Sequence, residues 1–321
     1  MLDVHFTTDV EIWCDDWRRI DEQFPEAFQR YVYGPTPQGN FGIPYALKIL
    51  AEHGLKGVFF VEPLFSTRFG RHPLEEIVGL LKEANQDVQQ HLHTEWVDES
   101  LKPILKNIKQ KKQYLRNFTL PEQKILIKVS KDLLQQAGSG PISAFRAGSF
   151  GFNRNTLKAL KSNGIKIDSS YNQSTNGARS GICTGEIMTD PFACEGITEY
   201  PMTVFKDGSQ RLRHTQLTAC TFAEIEGLLW QALEHRKKSF VILTHNFELL
   251  NRNRSRPDYV VINRMKKLCK FLDKNRDSFK VCGFDEKLEA KKIEHKNILT
   301  SSRWNTARHE IGTGRPAHSG T

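Results

Sequence analysis

Apolar runs of strand length alternate with helical segments along this chain, and that alternation leaves few architectures open to it. Residues 4–10 have the β-branched look of a strand, residues 56–61 (KGVFFV) are apolar almost throughout, and residues 87–93 follow in the same style. Between the first two, Gly42-Ile43-Pro44 opens a helix with proline in its first turn, and Leu47, Leu50 and Ala51 repeat at helical spacing until His53-Gly54. Residues 74–85 read as the next helix. Strands too apolar to keep a wet face, joined through helices, predict a parallel sheet covered by helices. Ligands in such sheets sit beyond the carboxyl ends of the strands.

The residues with chemical potential cluster at those ends. In residues 87–96, DVQQHLHTEW, the two-residue period of a strand puts His91 and His93 on one side. Both imidazoles could then reach one metal ion, but a catalytic metal usually takes three protein ligands, so a third must come from elsewhere. A bare His-x-His pair is otherwise an ordinary packed pair. Asp9 and Glu11, at the end of the first strand, are also two apart. One could bind metal while the other accepts a proton; the alternative is a pair of solvated acids.

Farther along, residues 13–42 show no clear periodicity and carry Trp13, Trp17, Tyr31 and Tyr33, which predicts a long loop that either walls a cleft or packs its aromatics. Residues 98–137 read as helical and basic, with Lys102, Lys106, Lys109, Lys111 and Lys112 on a solvated face. Residues 144–148 form a short strand ending in Arg146 and a glycine turn. An arginine there can orient a carboxylate through two parallel hydrogen bonds, or make a surface ion pair. Thr221-x-x-Glu224 is a capping box for a helix with Ile225, Leu228, Leu229, Ala232 and Leu233 on one face. The buried strand after it, FVIL, ends at Thr244-His245, which adds His245 to the same rim.

Length and charge narrow the function classes. The 321 residues suffice for one large α/β domain or two smaller ones. No run approaches the ~18 apolar residues of a membrane span, and Met1-Leu2-Asp3 leads straight into a strand, so no transmembrane segment and a cytoplasmic location are expected. The six cysteines lack any C-x-x-C spacing, which predicts reduced thiols. The net charge of +9 suits nucleic acid, an anionic membrane or a phosphorylated substrate, and no recognition motif supports nucleic acid. From Lys287 onward, seven Lys or Arg stand against three Asp or Glu. This tail lacks apolar periodicity, so residues 289–321 are expected to be flexible, with Trp304 as the one anchor, and residues 1–288 to form the functional domain.

Together the strings FTTDVE, GIPYALKILAEHGLKGVFFV, QQHLHTEW, FRAGSFGFNRNTLKAL and FVILTHNFEL resemble, in order, the motifs of the polysaccharide deacetylases of carbohydrate esterase family four. The resemblance runs from about Val4 to Phe284. It implies an α/β fold, an irregular (β/α)7-type barrel with parallel strands and an outer ring of helices. It also implies hydrolysis of an N-acetyl group on a sugar with one divalent ion, Zn before Co or Mn, the alternatives being an inactive carbohydrate-binding protein of the same fold or a related hydrolase of a non-sugar amide or a glycosidic bond. Two departures stand out: Val10 separates the two acids that are adjacent in the family, and Glu95 occupies the place of its second histidine. The implied ligands are Asp9, His91 and His93, with Asp9, His91 and Glu95 as the close alternative. Glu11 would be the base, Arg146 would orient it, and His245 would protonate the leaving amine; Asp9 and Glu11 could exchange roles. Arg252, Arg254 and Arg256, in NRNRSRP just after the last motif, are expected to meet the phosphate of a nucleotide-linked or lipid-linked sugar, or else to be a solvated loop.

Overall fold

In the computed structural model, which describes residues 1–106, 108, 110–175, 177–182, 187–285 and 298–302, one mostly parallel sheet carries the chain. Its strands are β1 (Leu2–Val10), β2 (Val58–Val61), β3 (Asp87–Leu92), β4 (Ala144–Ala147), β5 (Ile167–Asp168), β6 (Phe192–Cys194), β7 (Ile197–Glu199), β8 (Ser239–His245) and β9 (Phe279–Val281). The order is β8-β1-β2-β3-β4-β5-β7-β6, with β9 also paired to β1. Every pairing is parallel except the last, β6 on β7. Helices α1 (Ile20–Phe28), α2 (Ile43–Glu52), α3 (His72–Glu83), α4 (Leu120–Gln136), α5 (Arg154–Ser162), α6 (Phe222–Glu234) and α7 (Tyr259–Lys274) surround it.

Period-two alternation gives each strand an outer and an inner face. On β1, Val4, Phe6 and Val10 join the large outer core, where they meet helix residues such as Leu50, Ile77 and Leu268. Each such fully buried side chain contributes about 1.5–3 kcal/mol. The inner faces make smaller clusters of their own: Val58 and Phe60 of β2 pack with Ala144, Ile167 and Tyr200 from the far side of the sheet. In a flat sheet β1 and β4, three strand spacings apart, would lie about 14 Å from each other. Yet Arg146 of β4 bonds Asp9 of β1. The sheet is therefore curled into a half-barrel ringed by helices, the (β/α)-barrel-like architecture expected.

At the amino end of this interior, His5 is stacked on Phe284 and edge-on to Tyr200, with Nδ1 on the Cys282 carbonyl. Burial pushes its pKa down to about 4. A depressed histidine contributes stability that is complete above its unfolded value of 6.5 and is lost as pH falls toward 4. Unfolding free energies at pH 7 and pH 4 are expected to fall further in the parent than in His5→Leu, by about 3 kcal/mol. Equal losses in the two proteins would refute this.

Two stretches differ from expectation. Residues 13–42 are not a continuous loop: they contain α1 and a wider turn, Gln29–Tyr33, closed by Gly34 at φ 58°. Ile20, Phe24, Ala27 and Phe28 are the buried side, a helical spacing obscured by Pro25. Conversely, the described residues between 98 and 119 form no continuous helix, only the end of a 3-10 turn at Glu99 and another at Leu115–Asn117. The helix starts only at Leu120, where Thr119 and Glu122 cap each other and proline occupies the first turn. Pro103 upstream lacks the N–H a helix interior needs. Instead of lying on a solvated face, Lys111 ties this segment to Asp98 and Glu99 and covers the Trp17 ring.

The capping box at Thr221 and Glu224 forms as read. Within the tail, Leu299–Thr300 pairs with Val204–Lys206, and Ser301 Oγ donates to Glu224. Trp304, Lys109, Cys183 and the rest of the basic tail lie outside the described residues. The five described cysteines are unpaired thiols, and no described helix is long and apolar enough to cross a membrane.

Candidate metal centre

The inner-face alternation of three strands delivers the site. Thr7 and Asp9 lie on β1 with Glu11 just past its end, His91 on β3 with His93 just past its end, and Ala144 and Arg146 on β4. Pairing sets their heights: Asp9 lies opposite His245, and His91 opposite Arg146. All six titratable side chains, Asp9, Glu11, His91, His93, Arg146 and His245, reach the carboxyl rim.

Hydrogen bonds fix the imidazoles. His91 Nδ1 lies 2.8 Å from the Arg146 carbonyl oxygen, and His93 Nδ1 lies 3.3 Å from Glu95 Oε2. Carbonyl and carboxylate oxygens only accept, so both Nδ1 atoms donate and each neutral ring keeps its lone pair on Nε2. Those two Nε2 atoms sit 3.1 and 2.9 Å from one oxygen, Glu11 Oε1. Three electron-rich atoms so close repel unless a positive charge lies among them. Ligand atoms around a tetrahedral ion with bonds near 2 Å are about 3.3 Å apart, close to this spacing. In the absence of an ion a proton takes that place: burial opposes charge on both partners, but Glu11 and His93 face each other. Glu11 is thereby held well below the usual carboxylate range and His93 well above the usual imidazole range. Glu11, His91 and His93 thus form a buried group fit to hold a divalent ion. Glu95 stands behind His93 and serves its ring orientation, as outer partners of metal-bound histidines do.

The other sequence candidates arrange themselves around this group. Arg146 is fully buried, not on the surface, and meets Asp9 rather than Glu11. Nη1 donates to Asp9 Oδ1 at 2.6 Å and to Thr7 Oγ1, while Nε and Nη2 go to Ser169. The two-bond fork on one carboxylate is replaced by a fan that leaves Asp9 Oδ2 unclaimed by the guanidinium. Oδ2 is 3.9 Å from His91 Nε2. His245 Nε2 is 4.0 Å from Glu11 Oε1, and its Nδ1 is bound to Glu248 Oε1 at 2.8 Å. Burial lowers the His245 pKa, but the Glu248 bond and the charges of Glu11, Glu248 and Asp9 outweigh it, raising it to about 9.

No protein-family model and no curated protein matches the chain. Among solved structures, a protein from Mycobacterium smegmatis provisionally described as a polysaccharide deacetylase is 18% identical over 88% of this chain and 87% of its own, with a TM-score of 0.57. The chain has the polysaccharide deacetylase fold. A family 4 carbohydrate esterase from Streptomyces lividans, solved with acetate, aligns over 91% of this chain and 97% of its own at 11% identity and TM-score 0.47. The 4-alpha-glucanotransferase of Thermococcus litoralis reaches 0.54 at 12% identity, and this chain, 94% covered, spans 41% of it. A fold that also serves glycosyl transfer does not choose a reaction, so the choice rests on the site.

Within this deacetylase fold, sequence reading missed three supports. Asn246, beside His245, clamps the Glu11 backbone at both its N–H and its carbonyl. Glu248, three residues after His245, is itself held by Thr244 Oγ1 and Gln216 Nε2. Gly148 admits the His93 ring, since a Cβ there would lie 2.7 Å from it. The first two stand in the string THNFE, where neighbours of a candidate histidine invite scrutiny. In the arginine loop, Arg254 lies over the rings of Tyr31 and Phe247, and Phe247 stacks on His245. Arg252 and Arg256 are exposed.

Proposed function

We propose that this chain is a metal-dependent hydrolase that removes the N-acetyl group from an acetamido sugar. The observation that carries the reading is the convergence of Glu11 Oε1 and the Nε2 atoms of His91 and His93 on one buried point. Two imidazoles and one carboxylate suit Zn, with Co or Mn as substitutes. A bound divalent ion supplies Lewis-acid polarisation of the acetamide carbonyl and lowers the pKa of water toward neutrality.

The roles follow from what each side chain touches. Glu11 rather than Asp9 completes the ligand set with His91 and His93. Asp9, fixed through Oδ1 by Arg146, keeps Oδ2 to take the proton of the attacking water. In this reading Arg146 orients the base, and the base is Asp9 rather than Glu11. His245, held through Nδ1 by Glu248, gives its proton to the departing amine. The exposed Arg252 and Arg256, with Arg254 between them, fit a phosphate on the sugar.

Acetate release is the test, measured on protein loaded with Zn, Co or Mn and supplied with acetamido sugars matched except for a phosphate. Metal-dependent acetate release supports the reading. Bound metal without acetate from any of these sugars would remove the deacetylase and leave the metal centre standing. A preference for the phosphorylated sugar should vanish when Arg252, Arg254 and Arg256 are neutralised, and equal use of both sugars would end the phosphate reading.

A further inference from the structure

Trp13 follows Glu11 by two residues, and its indole is tied to the centre at two points. Nε1–H donates to Glu11 Oε2 at 2.7 Å. The ring stands edge-on to His93, centroids 4.7 Å apart. Its own place is fixed from behind. Trp17 packs edge-on against it at 6.2 Å and against Trp96 at 4.8 Å, while the Lys111 ammonium lies 3.8 Å from the centre of the Trp17 ring.

A carboxylate can hold an ion through one oxygen or through both. An indole N–H only donates, and its hydrogen on Oε2 both stops the Glu11 carboxylate from rotating and draws charge onto that oxygen. Oε1 alone is then turned to the Nε2 atoms of His91 and His93. We propose that Trp13 is the positioning residue that makes Glu11 a one-oxygen ligand and so keeps a coordination position open for water. The inference rests on the metal-centre reading above and goes beyond it by assigning the denticity of one ligand to a residue that touches no ion.

Co2+ is the probe, because its visible absorption weakens as coordination number rises. Trp13→Phe keeps a ring against His93 and removes only the N–H donor. It is expected to bind Co2+ about 10–100-fold more weakly, as loss of an outer hydrogen bond does, and to show weaker visible bands as Glu11 turns to engage both oxygens. Trp17→Phe, which keeps a ring behind Trp13 and leaves the Trp13 N–H in place, is expected to match the parent in both respects. A Trp13→Phe spectrum identical to the parent's would overturn the inference whatever its affinity, because Trp13 would then be a packing residue. A parent that takes up no Co2+, or takes it up equally well as Glu11→Gln, would instead overturn the metal-centre reading and the inference with it.

Discussion

Glu11→Gln and Asp9→Asn, the same chemical change two residues apart, are expected to fail in opposite ways. Glu11→Gln loses the negative charge that faces both imidazoles, and its ion affinity should fall by more than about 100-fold, since groups one shell farther out already cost 10–100-fold. Asp9→Asn leaves those three atoms in place. It should keep the ion and lose turnover by about 10²–10⁴-fold, the usual contribution of a positioned acid–base group. Metal content and kcat, measured on both proteins, decide the matter. An ion lost from Asp9→Asn and retained in Glu11→Gln would restore Asp9 to the ligand role and Glu11 to that of base.

Arg146→Met is expected to destabilise the fold by about 3–5 kcal/mol, the range for breaking a buried ion pair from one side. Methionine fills much of the same volume, so the loss comes from charge. Asp9 is left buried beside Thr7 and Ser169, which also lose a donor. Urea unfolding of the metal-free protein measures it, and a loss under about 1 kcal/mol would show that the pair does not act as argued. The double exchange Arg146→Met with Asp9→Leu should recover much of the stability, because matched apolar replacements of buried pairs are often neutral or better. Such a protein would be stable and inert, which places the value of the pair in function rather than in folding.

Much of the architecture is legible in the amino-acid sequence. Apolar strands alternating with capped helices specify a parallel sheet under helices, because a strand with two dry faces must be covered on both. Thr221 and Glu224 mark a helix start through local hydrogen bonds that need no tertiary partner. Spacing of two places Asp9 with Glu11, and His91 with His93, on common faces, since strand periodicity is a property of the backbone alone.

Which carboxylate meets which partner is decided elsewhere. Alternation assigns a face, not a depth, and Arg146 reaches Asp9 only because the sheet curls across two intervening strands. The same curl sets Glu11, just past the end of β1, against the imidazoles of His91 and His93 at the end of β3. Helix α1 is hidden by Pro25, and the segment before Leu120 is held by Lys111 and its distant anchors rather than by propensity. The sequence by itself determined the elements, their faces and the rim where chemistry would gather, because these follow from neighbours a few residues apart. Only the tertiary structure determined the contacts of the centre, because they depend on sheet curvature, which is set by packing among side chains far apart in the chain.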